Sequence, residues 1–193
     1  MAAAIERSPW AICVLLVCLL AADAQALEAP PPAYQIAAQQ AGIPSVVLYA
    51  IALQESGTWL NERLVPWPWT LNIAGRAYRY AHQAAACSGL QQALQHTSPT
   101  RIDAGLGQIN LGHQQQRYQH PCELLDPYRN LAIAAEILRE QHTPGQDWLI
   151  TIGRYHRPAG GAPATHYRQS VGLHLARVLG DAQLASALHG DRP

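Results

Sequence analysis

The chain has 193 residues, room for one domain of ordinary size. Its 13 basic residues balance 13 acidic ones, so nucleic-acid and polybasic membrane-surface binding have no electrostatic footprint. Every basic residue is Arg and Phe is absent; Trp and Tyr supply the aromatic bulk.

Residues 1–26 read as a signal peptide. Arg7 gives a thin basic start, weakened by Glu6. Ala11 to Ala22 is an apolar run too short to span a bilayer as a helix. Ala24-Gln25-Ala26 fits the small-x-small cleavage rule, which puts the mature start near Leu27; an uncleaved anchor is the alternative. Val17 stands where a lipobox before Cys18 wants a small residue, so a lipoprotein is discounted. Cleavage removes Cys13 and Cys18 and leaves Cys87 and Cys122. An even pair in an exported chain is expected to be bonded; two free buried thiols are the alternative.

Residues 27–33 form a stiff Pro-rich leader, and 34–180 the domain, with a tail at 181–193. Pro44 suits a first helical position, Val47, Ala50, Ile51 and Gln54 follow at helical spacing, and Gly57 closes the helix. Trp59 to Trp69 breaks that period, and Pro66-Trp67-Pro68-Trp69 reads as an ordered aromatic loop. Ala74, Ala77, Tyr78, Ala81 and Ala85 form a small-residue helical stripe, with another short turn at Leu90 to Leu94. Ile102 to Ile109 is turn-rich and partly extended. Asn130 is a good N-cap for a helix carrying Leu131, Ala134, Ala135 and Leu138. Asp147 caps the next helix, which Tyr155 and His156 close. After a Gly/Pro loop, Thr165 opens a last helix with Val171, Leu175 and Val178 on one face, ended by Gly180. The expected class is mainly α, with at most a small β-hairpin.

Two segments carry chemistry. Ala52-Leu53-Gln54-Glu55-Ser56-Gly57 ends an apolar helix in a lone acid. Asp103-Ala104-Gly105-Leu106-Gly107-Gln108-Ile109-Asn110 is a Gly-rich turn bearing an amide and a small polar residue. A protonatable carboxyl facing a hydrogen-bonding wall is what glycosidic cleavage requires. The helix C-terminus and apolar neighbours both disfavour ionised Glu55, which raises its pKa toward that of a general acid. Ser56 either bonds substrate or satisfies a helix-end carbonyl. Gln108 and Asn110 are candidate sugar-binding residues, Gln108 having donors and an acceptor for N-acetyl and hydroxyl groups, with backbone bonding as its alternative. Asp103, the one carboxylate beside this motif, is read as an Asx-type turn residue. Nine dispersed His show no HExxH or comparable spacing, so no metal is expected.

The Gly-rich segment closely resembles the "GLMQIN" signature of SLT-type lytic transglycosylases, lysozyme-like enzymes that cut peptidoglycan. Glu55-Ser56-Gly57 resembles their catalytic "ESG" helix end. Gly153-Arg154-Tyr155-His156 sits where they usually read "YNAG": Tyr155 matches the family Tyr and His156 replaces the Asn. Asn130-Leu131 with Ala134, Ala135 and Leu138 is similar to their "NL..A..iL" helix. The motifs come in family order over Ala37 to Val178, and they look most like the branch associated with conjugative elements and type IV secretion. Two departures stand out. Gly107 replaces the usual Met, and the segment between Glu55 and Gly105, with Trp67, Trp69 and Cys87, is longer than usual.

The resemblance implies a lysozyme-like fold and non-hydrolytic cleavage between N-acetylmuramic acid and N-acetylglucosamine, with Glu55 as acid and then base and no cofactor. It implies a groove where Ser56, Gln108, Asn110 and Tyr155 meet substrate, Tyr155 close to Glu55. The expected setting is the periplasm, without a stable membrane anchor, and the expected partners are glycan strands and conjugation or type IV secretion components. A goose-type hydrolase and a catalytically weak wall-binding protein on the same fold are the alternatives.

Overall fold

The computed structural model describes residues 28–180; residues 1–27, where the signal peptide is expected, with Cys13 and Cys18, and the expected tail 181–193 lie outside the described residues. The architecture is mainly α: six α-helices and two small antiparallel sheets among the described residues.

Helices α1 (Pro32–Ala41) and α2 (Ser45–Ser56) are joined at Gly42, whose φ of 66° makes a left-handed helix end. Every residue of α2 from Val47 to Leu53 is buried, so it is the central helix of the core. Fully burying Leu48 or Ile51 contributes about 1.5–3 kcal/mol each. Around it pack α1, α4 (Pro127–Gln141), α5 (Trp148–His156) and α6 (Ala162–Leu179). Among the described residues no single helix is long and apolar enough to cross a membrane; α1 and α2 pass that test only as a pair bent by 119°.

The expected Pro-rich leader joins the fold. Pro32 and Ala33 already belong to α1, Pro30 is buried, and Glu28 accepts the Tyr49 hydroxyl at 2.8 Å.

The strand content exceeds the single small hairpin expected. The segment before the aromatic loop is a hairpin of β1 (Gly57–Leu60) and β2 (Arg63–Pro66), turning through Asn61 and Glu62, both at positive φ, and Trp67 to Trp69 form the loop expected there. The small-residue stripe is a second hairpin, β3 (Thr70–Ile73) and β4 (Arg76–Arg79), with Ala74 and Gly75 at φ 54° and 88°. Two consecutive positive-φ residues make the turn type whose twist suits a two-residue hairpin. The helix begins only at Gln83, as α3 (Gln83–Leu94), where the His82 side chain accepts from Ala85 N–H. β5 (Ile102–Ala104) pairs with β3 and β6 (Ile109–Asn110) with β5, giving the order β4-β3-β5-β6. Leu71, Ala104 and Ile109 are buried in register across it. Asn72, Asp103 and Asn110 form the alternate, polar row.

Cys87 and Cys122 are joined, as expected, with Cα atoms 5.3 Å apart. The bond pins α3 to the 3-10 turn Pro121–Leu125. Closing such a loop stabilises by roughly 4 kcal/mol in the chain-entropy model.

Two helix starts differ from expectation. α4 begins at Pro127, capped by the Asp126 carboxylate on Arg129 N–H, because Pro at the first position and an acid before it outcompete Asn130. α6 begins at Ala162 after Gly161, three residues before Thr165, again with a Pro in the first turn.

Candidate active site

Glu55 lies in the last turn of α2, beside the carbonyl end of a buried helix. It is only partly exposed, and its carboxyl is enclosed by protein on most sides. Burial disfavours the carboxylate and lifts the pKa from an ordinary 4.5 to about 7; a tyrosine hydrogen bond opposes this and the Asp103 charge adds to it. The expectation of a raised acid therefore holds, with desolvation as its leading cause.

The hydroxyl on that carboxyl comes from Tyr167, not Tyr155. Tyr167 donates to Glu55 Oε1 at 2.6 Å from the first turns of α6. It is 7% exposed and continues the inward face of Val171, Leu175 and Val178, so its ring packs as core while its hydroxyl reaches the site. The chain marks it only as an aromatic with a polar tip at the head of an apolar stripe, which does not set it apart from the other helical tyrosines. Tyr155 instead donates to the Gly107 carbonyl at 2.7 Å. It stays within electrostatic reach of Glu55, whose charge, with burial as the larger cause, pushes the Tyr155 phenol well above its usual range.

The Gly-rich turn sits against this helix end, and Ser56 is the tie. Ser56 is fully buried, and its hydroxyl donates to Ala52 O at 3.0 Å and Leu106 O at 2.9 Å. That arrangement is a tether between helix and turn, not a contact for a sugar. Gln108 has φ 47°, a conformation rarely held without support. Its side-chain N–H groups donate to Gly105 O at 2.8 Å and Thr70 O at 3.2 Å, which supply that support and leave Oε1 as the free acceptor. Asn110 is spent on structure: it donates to Thr100 O and Asp103 Oδ1 and accepts from Gly112 and His113 N–H.

Asn130 is a scaffold residue that its sequence position concealed. Fully buried, it donates to Ala104 O at 2.9 Å and Leu124 O at 2.8 Å and accepts Gly107 N–H at 2.8 Å. Gly105 lies so close to it, at φ 82°, that a Cβ there would overlap the Asn130 amide. At Gly107 a Cβ would meet Ala134 Cβ at 2.7 Å and the Tyr155 hydroxyl at 2.9 Å. Position 107 thus faces α4 and Tyr155, not an open groove wall. The Ala134 methyl, nearest of all, and the Tyr155 hydroxyl leave no room for a side chain there unless one of them shifts.

Asp103 is not a turn residue. It lies in β5, opposite Asn72 and Asn110, because the hairpin before it supplies a strand to pair with. Burial raises its pKa, while the Asn110 hydrogen bond and the charges of His113 and His156 oppose that. His156 stacks on the Tyr167 ring, centroids 4.5 Å apart and planes 5° from parallel. Glu55, Tyr167, His156 and Asp103 thus form one cluster drawn from α2, α6, the end of α5 and β5.

The segment 58–104, expected to be an insertion, folds chiefly into the two hairpins, α3 and β5. Trp67 donates from its indole to Tyr80 O at 2.7 Å and meets Trp69 edge-on at 5.6 Å. Trp69 packs against the core, and its Nε1, like Asn72 Oδ1, is buried without a hydrogen-bond partner. Trp59 on β1 is 73% exposed.

Comparisons with protein-family models, with curated proteins and with solved structures found no match to this chain.

Proposed function

We propose that this chain is a peptidoglycan lytic transglycosylase on a lysozyme-like fold. The observation that carries the reading is Glu55: one partly exposed carboxyl, held by a tyrosine hydroxyl, with a pKa lifted to about 7. A group titrating near neutral pH can give a proton and take one back in the same turnover. Glu55–H protonates the glycosidic oxygen of the leaving N-acetylglucosamine, and the C1–O bond of the N-acetylmuramyl unit breaks. The resulting carboxylate takes the proton from the muramyl C6 hydroxyl. O6 then attacks C1 and closes a 1,6-anhydro ring. No water is consumed, and Glu55 ends protonated as it began. Tyr167 holds the carboxyl on one oxygen and helps stabilise the anion between the two steps.

The residue pattern Glu55-Ser56-Gly57, Gly105 to Asn110 and Tyr155 supports the substrate class through its resemblance to SLT-type enzymes. In this reading the Gly-rich turn is chiefly scaffold, and Gln108 Oε1 is its substrate-facing group. The same resemblance supports export to the periplasm and a role in opening the wall for a conjugation or type IV secretion apparatus.

One observation favours a second reading. Asp103 is a second carboxylate within electrostatic reach of Glu55. A base that activates water would make the enzyme a hydrolase. Digestion of purified sacculi followed by mass spectrometry separates the two. Anhydro-muramyl ends support the transglycosylase; reducing ends alone support the hydrolase. Binding to sacculi without any release would leave a wall-binding protein.

A further inference from the structure

The Tyr167–Glu55 hydrogen bond needs the Tyr167 ring held in one plane, and the residue against that ring is His156. His156 ends α5, and Tyr167 lies in the first turns of α6; the two meet across the Gly/Pro loop at residues 157–161. Their rings lie nearly parallel with centroids 4.5 Å apart. Tyr167 is buried on one side by the core, whereas His156 is exposed, so the imidazole is the outer wall of the tyrosine. A phenol free to tilt would carry its oxygen off a 2.6 Å contact.

We propose that His156 is a positioning residue: its imidazole face clamps the Tyr167 ring so that the hydroxyl stays on Glu55. The clamp acts through stacking and not through charge. The titratable and charged groups that face His156 are Asp103 from β5, the adjacent Arg157 and Tyr167 from α6; those that face Glu55 are the neutral phenols Tyr167 from α6 and Tyr155 from α5, and Asp103 from β5. Burial lowers the His156 pKa, with Arg157 adding to this and Asp103 opposing it. A His156→Phe variant separates stacking from any change of charge. The inference rests on the reading of Glu55 as the acid, but its test does not need activity.

Direct titration of the Glu55 side-chain carboxyl by carbon NMR reads the clamp. Tyr167→Phe removes the hydroxyl that stabilises the anion, so the Glu55 midpoint should rise by about one to two pH units. His156→Ala should raise it in the same direction, and His156→Phe, which keeps a flat ring without a charge, should leave it at the native value. In the double variant His156→Ala with Tyr167→Phe, the rise should be no larger than with Tyr167→Phe alone, since both act on one bond. A native midpoint in His156→Ala overturns the proposal. So does a rise in His156→Phe equal to that in His156→Ala, because the effect would then be electrostatic. If the titrations follow the clamp while no variant, nor the native protein, cleaves sacculi, the positioning role stands and the assigned reaction falls.

Discussion

The two sides of the site are built differently. On the helical side, side chains are aimed at the acid: α6 sends the Tyr167 hydroxyl to Glu55, and α5 ends in the His156 ring that lies on that tyrosine. On the side of the Gly-rich turn, nearly every polar group is turned toward backbone. Ser56, Gln108, Asn110 and Asn130 all bond main-chain groups, and Tyr155 donates to the Gly107 carbonyl. A turn with residues at positive φ and glycines in close contact must be held from outside, so its polar neighbours are consumed in holding it. The Gly-rich motif is therefore mainly scaffold, and the Glu55 carboxyl takes its side-chain partner from the helical side.

That division can be broken at either side. The largest effect belongs to the acid. Glu55→Gln keeps size and the acceptor for Tyr167 but has no proton to transfer, so release of muropeptides from sacculi should fall by roughly 10²–10⁴-fold. Turnover at the native rate would remove Glu55 from the chemistry. Next comes the scaffold. Asn130→Ala strands Gly107 N–H, Ala104 O and Leu124 O in the interior and should cost about 3–5 kcal/mol in urea unfolding. A loss below about 1 kcal/mol would mean that the turn stands without it.

The comparison sharpens at the two tyrosines. Tyr167→Phe should slow cleavage roughly ten- to hundredfold with little loss of melting temperature, since a charge-assisted bond is removed and packing kept. Raised Glu55 also has a signature in stability. The folded protein keeps this proton up to about pH 7, whereas the unfolded chain releases it near 4.5. Between those values the folded state binds more protons, so this group makes stability fall as pH rises, and the loss is complete above pH 7. Glu55→Gln should thus unfold at higher denaturant than the native protein at pH 8, by on the order of 1–3 kcal/mol, and match it near pH 4. Equal curves at both pH values would contradict a lifted pKa. The smallest change is expected at Tyr155→Phe, which removes a bond to Gly107: about 1 kcal/mol of stability and less than a threefold change in rate. A drop as large as that of Tyr167→Phe would move Tyr155 back into the acid's immediate surroundings.

Much was legible from the chain alone. The buried helix ending at Glu55, the mainly α class, the Cys87–Cys122 pair and the apolar face of the last helix follow from periodicity, helix-end signals and an even cysteine count. These are local signals, or need only a parity argument. The hairpins were not legible. Asn61-Glu62 and Ala74-Gly75 lack the usual Asn-Gly turn chemistry, and Ala at three- to four-residue spacing imitates a helix face. The strand pairing that overrides such a pattern comes from β5, some thirty residues further on. Tertiary structure alone decided which hydroxyl meets the acid. Tyr155 and Tyr167 are both aromatic residues on apolar helices, and nothing local separates them; the packing of α2 against α6 delivers one to Glu55 across 112 positions of chain. It also decided the fate of Asn130, read as a cap from its place before an apolar run. Asp126 and Pro127 start that helix a turn earlier, which sends the amide inward to the Gly-rich turn. Long-range partners settle such cases because a polar side chain bonds whatever group its buried surroundings leave unsatisfied, and that group is chosen by the fold.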